Sequence, residues 1–201
     1  MIEQLTPEDA LIWMSDVKAV LLGILAWIVY PLWLLAGMAD LWCHRRTSIA
    51  TTAGAPESAL HVAQVLLIGV AVIAAVFLEI TTSVLIGMGI LILAHSVLAF
   101  ADIAYTNPRR EISAFEQQVH AYMEVLPWTS LAFIAALNPQ ALTEATWAVQ
   151  LKREPLPPRM IAAVLVPALV LAVIPTLLEL IDTLKHRPRA RAASRVTTAS
   201  A

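Results

Sequence analysis

The sequence predicts an all-α integral membrane protein of five transmembrane helices, the first four forming an antiparallel bundle with a polar His/carboxylate cluster at its cytoplasmic end. Three observations lead there. Hydrophobic residues make up 59% of the 201 positions and charged residues 14%, with a strongly positive mean hydropathy, which no soluble domain of this length needs for its core. The apolar residues fall in five runs, each with roughly the 17 to 25 residues that a helix needs to cross the hydrocarbon. Finally, four of the five histidines follow a carboxylate by four residues: Asp40 and His44, Glu57 and His61, Glu116 and His120, Asp182 and His186.

The first span is expected over 19–39. Glu3, Glu8, Asp9 and Asp16 precede Lys18, unlike the positive start of a secretory signal, so this helix is expected to remain as a span. The second and third spans are expected over about 60–78 and 84–101, with Thr81, Thr82 and Ser83 as a tight turn between them. A re-entrant hairpin over Leu60 to Ala101 would leave four spans instead. The fourth span is expected over about 119–137. Beyond it, Asn138 to Lys152 reads as a short interfacial helix with Leu142, Trp147 and Leu151 on its apolar side. Pro155, Pro157 and Pro158 form a stiff linker before the fifth span, 161–181. Residues 1–187 are thus one transmembrane domain, and 188–201 reads as a disordered basic tail.

Basic residues set the expected orientation. Arg45, Arg46, Arg109, Arg110, Lys185, Arg187, Arg189, Arg191 and Arg195 lie on one side of the five spans, against Lys18, Lys152, Arg153 and Arg159 on the other. By the positive-inside rule the N-terminus is outside and the C-terminus cytoplasmic, in a plasma membrane of bacterial inner-membrane type. Cys43, the single cysteine, excludes an internal disulfide.

That topology brings several acid–histidine pairs to one end of the bundle. Asp40 with His44 closes the first span, Glu57 with His61 opens the second, His95 and Asp102 close the third, and Glu116, His120 and Glu124 form one stripe opening the fourth. Four imidazoles and four or five carboxylates suit two metal ions better than one. The metal-ligand candidates are therefore Asp40, His44, Glu57, His61, His95, Asp102, Glu116, His120 and Glu124. A single such pair is more often a surface ion pair worth a few tenths of a kcal/mol. Asp182 with His186, beside the basic tail, fits that reading. His95 and Glu124 lie roughly two turns inside their helices, where an ionisable group needs a partner. A structural polar network between helices would also supply one.

The donor set narrows the chemistry. Haem would call for opposed histidines within apolar walls, structural zinc for cysteine, and the HExxH motif of zinc proteases is absent. A centre of two iron ions uses the whole set, with manganese or zinc as alternatives. In class, this arrangement resembles membrane-bound non-haem iron hydroxylases and desaturases, whose histidine-rich di-metal centres lie at the cytoplasmic ends of transmembrane helices and act on lipid chains. It is also similar to ferritin-type four-helix carboxylate bundles. The HxxxH and HxxHH boxes of the former are absent, and the latter space Glu and His by three where this chain spaces them by four, so no residue role is carried over.

The resemblance implies a di-iron oxidoreductase of hydroxylase or desaturase type, with a lipophilic substrate, an electron donor and the bilayer as partners, and no nucleic acid. Arg45, Arg46, Arg109 and Arg110 are candidates for holding a substrate head group, or simply anchor the loops. Tyr105 and Tyr122 are candidate neighbours of the centre. Pro31, Pro127, Pro167 and Pro175 are positions where helices could kink around a cavity. The alternatives are a zinc-dependent hydrolase of lipid amides or esters, with Ser58 near the substrate or capping its helix, and a non-enzymatic metal sensor, transporter or structural network.

Overall fold

Large apolar side chains face outward along most of the helices: Trp27 is 83% exposed, Phe100 76%, Leu35 61% and Ile90 61%. A water-soluble fold would bury them, whereas a bilayer solvates them. The computed structural model describes the backbone of residues 6–199 and the side chains of Thr6 and of 12–186. All the main elements are helical: α1 (Pro7–Ile24), α2 (Tyr30–Arg46), α3 (Ala55–Phe77), α4 (Thr82–Thr106), α5 (Ala114–Leu137), α6 (Gln140–Thr143), α7 (Pro158–Ala168) and α8 (Ile174–Ala199).

Among the described residues, four helical stretches are long and apolar enough to cross a membrane: Ile12–Arg46, Ala55–Phe77, Thr82–Thr106 and Pro158–His186. The first and last of these are longer than the apolar runs 19–39 and 161–181. Each consists of two α-helices joined through a π-helical turn, Leu25–Val29 between α1 and α2 and Leu169–Val173 between α7 and α8. Both turns have the same cause. Pro31 and Pro175 lie two residues beyond them, and a proline ring lacks an N–H and crowds the carbonyl four residues back, so the turn before it widens. Tyr30, next to the first turn, donates its hydroxyl proton to the Val164 carbonyl of α7 and ties the two broken helices together.

The run expected to span 119–137 lies within α5, whose 24 residues continue through Pro127. This helix is not among the four apolar enough by composition, because Glu116, His120 and Glu124 occupy its first half. It packs against α2 and α4. Ser113 caps it by accepting the Glu116 N–H at 3.1 Å. The α2–α3 connection runs through Ser48, at φ 52°, and a 3-10 turn over Ile49–Thr51, then enters α3 at Gly54. Gly54 has φ 70° and ψ −154°, a region essentially closed to side-chain-bearing residues, and its carbonyl accepts the Ser58 N–H at 3.3 Å.

α3 and α4 are two separate helices, each long and apolar enough to cross a membrane. The connection is Leu78 to Thr81, slightly earlier than expected, with Thr81 capping α4 through the Val84 N–H. Ala71, Ala74 and Ala75 pack against Val84, Met88 and Leu91 beside it, small residues that let the helices approach closely.

The expected interfacial helix over 138–152 is largely absent. Only Gln140–Thr143 is helical, Ala145 turns left-handed at φ 48°, and the chain then runs extended as a strap across the α3–α4 connection. The physical reason is the set of backbone donors exposed at that connection. Glu79 N–H bonds the Gln150 carbonyl at 3.0 Å, and Ser83 N–H the Thr146 carbonyl at 3.4 Å. Lys152 N–H in turn bonds the Phe77 carbonyl at 2.8 Å, and Thr81 Oγ1 donates to the Ala148 carbonyl at 3.0 Å. A helical strap would have left those groups unpaired. Pro157 and Pro158 begin α7 as the linker reading expected. The backbone of α8 continues through Ala199, so 188–199 of the stretch expected as a disordered tail is helical, and its side chains lie outside the described ones.

Candidate metal centre

The acidic and imidazole side chains that the sequence spaces four apart along single helices mostly find their partners on other helices. His120 Nε2 lies 2.8 Å from Asp40 Oδ1, joining α5 to α2. His61 Nε2 lies 3.0 Å from Asp102 Oδ2, joining α3 to α4. His95 Nε2 lies 3.4 Å from Glu124 Oε1, joining α4 to α5. Among the pairs inside the bundle, only Asp40 and His44 stay together along one helix, at 3.4 Å from Nε2 to Oδ2. Asp182 and His186 form the surface pair expected of them, Asp182 exposed and His186 half-buried, with Nδ1 3.6 Å from Oδ1.

The central element is one that the sequence reading did not single out. Glu179 of α8 reaches between two imidazoles: its Oε2 lies 2.9 Å from His44 Nδ1 and its Oε1 3.0 Å from His61 Nδ1. The two rings stack face to face, with centroids 4.4 Å apart and planes 5° from parallel. Because a carboxylate only accepts, it holds the proton of each imidazole on Nδ1. Both Nε2 atoms are then turned toward the other acids, His44 toward Asp40 and, at 3.8 Å, Glu116, and His61 toward Asp102. A signal was available in the sequence: Glu179 is the only ionisable residue within the apolar run 161–181.

Arg110 departs from the head-group role considered for it. The loop after α4 curls back, with Arg110 N–H on the Thr106 carbonyl, and buries the guanidinium between Glu57 and Glu116, both 0% exposed. Nη2 bonds Glu57 at 2.6 Å and Glu116 at 2.5 Å, Nη1 bonds Glu116 at 3.0 Å, and Nε bonds Glu57 at 3.1 Å. Burial alone would disfavour the cation. The bonds to Glu116 and Glu57 more than reverse this and raise the pKa above arginine's already high value, so the charge is permanent. Arg45, Arg46 and Arg109 remain exposed, Arg46 over the Trp42 ring at 4.6 Å and Arg109 over Tyr105 at 3.7 Å.

Among the described residues, three overlapping groups have ligand atoms close enough to share an ion, within 4.8 Å of one another: Asp40, His44, Glu116 and His120; His44, His61 and Glu179; and Glu57, His61 and Asp102. Seven of the nine candidate ligands fall in them. His95 and Glu124 do not. His95 is seven residues from Asp102, roughly 10 Å of helical rise, and pairs deeper in the bundle. Of the other residues considered, Tyr105 donates to the Ala53 carbonyl at 3.2 Å, Tyr122 is 45% exposed, and Ser58 is buried without capping α3.

Several buried atoms here have no hydrogen-bond partner among the described residues, including His44 Nε2 and Asp102 Oδ1. An unpartnered imidazole nitrogen facing carboxylates is the electrostatic pattern that a cation completes. The donors are nitrogen and oxygen only, since Cys43 is in none of the three groups. One cavity reaches Asp40, His44, His61, Asp102 and His120 of the cluster, bounded by α2, α3, α4, α5, the second π-helical turn at Ala172 and α8 at Thr176.

Fold and site together define a helical membrane protein with a buried histidine–carboxylate cluster. Compared with family models, with curated proteins and with solved structures, the chain matches none.

Proposed function

We propose that this protein is a membrane metalloprotein with a two-ion, non-haem centre, and that it is an oxidoreductase acting on a lipophilic substrate. The observation that carries the reading is Glu179 fixing both stacked imidazoles so that their Nε2 atoms face Asp40, Glu116 and Asp102. A carboxylate that orients a ligating histidine from its far nitrogen is the usual outer partner of a metal site. Charge supports two ions. Five clustered carboxylates, Asp40, Glu57, Asp102, Glu116 and Glu179, face one guanidinium, and two divalent cations would balance the four charges left over. A protein-only network would instead have to place protons on the imidazoles or the carboxylates, and imidazoliums stacked 4.4 Å apart repel.

In this reading one ion is held by Asp40, His44, Glu116 and His120, and the other by His61 and Asp102 with Glu57. Arg110 holds Glu57 and Glu116 in place from behind. Iron is the ion proposed, and when bound it supplies one-electron and dioxygen chemistry that side chains lack. The lipid-facing helices keep bulk water from the cluster and let a lipophilic substrate approach from the bilayer, while reducing equivalents come from a separate donor.

The proposed membrane arrangement has α5 as a fifth span in an antiparallel bundle, with the cluster on the cytoplasmic side. A reporter fused after Ala201 is expected to read as cytoplasmic, and an external signal would overturn that orientation. Metal content tests the centre itself. Elemental analysis is expected to find roughly two irons per chain in the wild type and a large loss in the double variant His61→Ala, His120→Ala. One zinc per chain would favour the hydrolase reading, and equal content in wild type and variant would end the proposal of a metal site.

A further inference from the structure

The cavity beside the cluster has a second polar layer that no metal group uses. Among the described residues, Trp33 Nε1 and Gln64 Nε2 are buried without a hydrogen-bond partner, His95 Nε2 and Glu124 Oε1 face each other at 3.4 Å without hydrogen-bond geometry, and all four residues line that cavity. Gln64 is 7% exposed and His95 3%. Each sits deeper than a cluster residue on its own helix. Trp33 is seven residues from Asp40, Gln64 three from His61, His95 seven from Asp102 and Glu124 four from His120, which is roughly 5 to 10 Å along the helices.

The unmet bonds specify a chemical group. The indole N–H and the amide N–H of Gln64 are donors and require an acceptor, while Glu124 Oε1 requires a donor. His95 adds to the demand. Its Nδ1 faces the main-chain carbonyl of Gln64 at 3.4 Å and its Nε2 faces Glu124 at 3.4 Å, both longer than a good hydrogen bond. A hydroxyl oxygen accepts two hydrogen bonds and donates one, so it offers what the two N–H donors and the carboxylate lack. A carboxylate has no proton for Glu124, and an ammonium has no acceptor for Trp33. The surroundings are apolar, with Leu34, Val65 and Met123 in the same wall.

We infer that this layer binds the hydroxyl group of an uncharged lipophilic molecule, a long-chain alcohol in chemical class, with its hydrocarbon among the helices. That this molecule is the substrate rests on the reading above; the hydroxyl site itself does not.

The test uses the full chain in phosphatidylcholine nanodiscs, which contain no competing alcohol, with tritiated dodecan-1-ol as the probe. Saturable binding near one per chain is expected, with dodecyl methyl ether weaker and dodecane showing no saturable binding. Trp33→Phe keeps the ring and removes the N–H, and Gln64→Met keeps the length and removes the amide. Each is expected to weaken dodecanol binding by about tenfold, the effect of one lost hydrogen bond. Equal binding of alcohol and dodecane overturns the inference, since water alone then fills the layer, and this comparison needs no variant to fold. Unchanged affinity in both variants overturns it as well. Each measurement is made on chelator-treated and iron-loaded protein. Alcohol binding that persists in a protein unable to hold iron would sink the metal centre and leave this site standing, whereas stoichiometric iron without alcohol selectivity would do the reverse.

Discussion

Arg110→Met is expected to destabilise the protein by about 3 to 5 kcal/mol, the usual cost of leaving buried charges without their partner. Glu57 and Glu116 are both 0% exposed, and each bonds the same guanidinium through two nitrogens. With Arg110 gone, the two buried carboxylates are left without their cation. Thermal unfolding in detergent is expected to show a large fall in Tm, or no folded protein at all. Arg110→Lys is expected to recover only part of the loss, because an ammonium cannot fork between two carboxylates as a planar guanidinium does. The triple variant Arg110→Met, Glu57→Gln, Glu116→Gln is expected to be more stable than Arg110→Met alone, because the uncompensated charges leave with the cation. An unchanged Tm in Arg110→Met, or no recovery in the triple variant, would show that the buried triad does not hold α3 and α5 together.

Glu179→Gln is expected to weaken metal binding by roughly 10- to 100-fold while leaving the helices assembled, the range found when an outer partner of a ligating histidine is lost. The carboxylate accepts the Nδ1 protons of His44 and His61 on its two oxygens. An amide has a single oxygen, so it can hold one imidazole in place but offers N–H to the other, which must then change tautomer or turn. Competition against a chelator of known iron affinity reads the difference, and circular dichroism checks that the helices persist. Equal affinity in wild type and Glu179→Gln would remove Glu179 from the site and take away the main support for the two-ion reading.

The contrast between Glu179 and the i, i+4 pairs shows which parts of the site can be read along a chain. Spacing places Glu116 and His120 on one stripe of α5, yet Glu116 turns to Arg110 and His120 to Asp40. A four-residue spacing says that two side chains share a face, but a rotamer chooses between the neighbour on its own helix and the one across the interface. At close helix packing the neighbour across the interface is as near and brings geometry free of the helix's own backbone. Arg110 was visible only as a loop cation because its burial depends on the loop folding back through Thr106. The strap over the α3–α4 connection was hidden for a similar reason. Its extended form answers backbone donors more than sixty residues away in sequence, which no local preference encodes.

By itself, the sequence determined the solvent of this protein, the places where its helices run, and the gathering of imidazoles and acids toward one end. Those follow from the free energy of transferring apolar side chains and from helical periodicity, both local properties of the chain. Only the tertiary structure decided which acid meets which histidine, that α8 contributes Glu179 between His44 and His61, and that His95 and Glu124 belong to a deeper layer apart from the cluster. Partner choice is a competition within a few ångströms among groups on five helices. Its outcome depends on the relative depth and rotation of those helices, and packing alone fixes both.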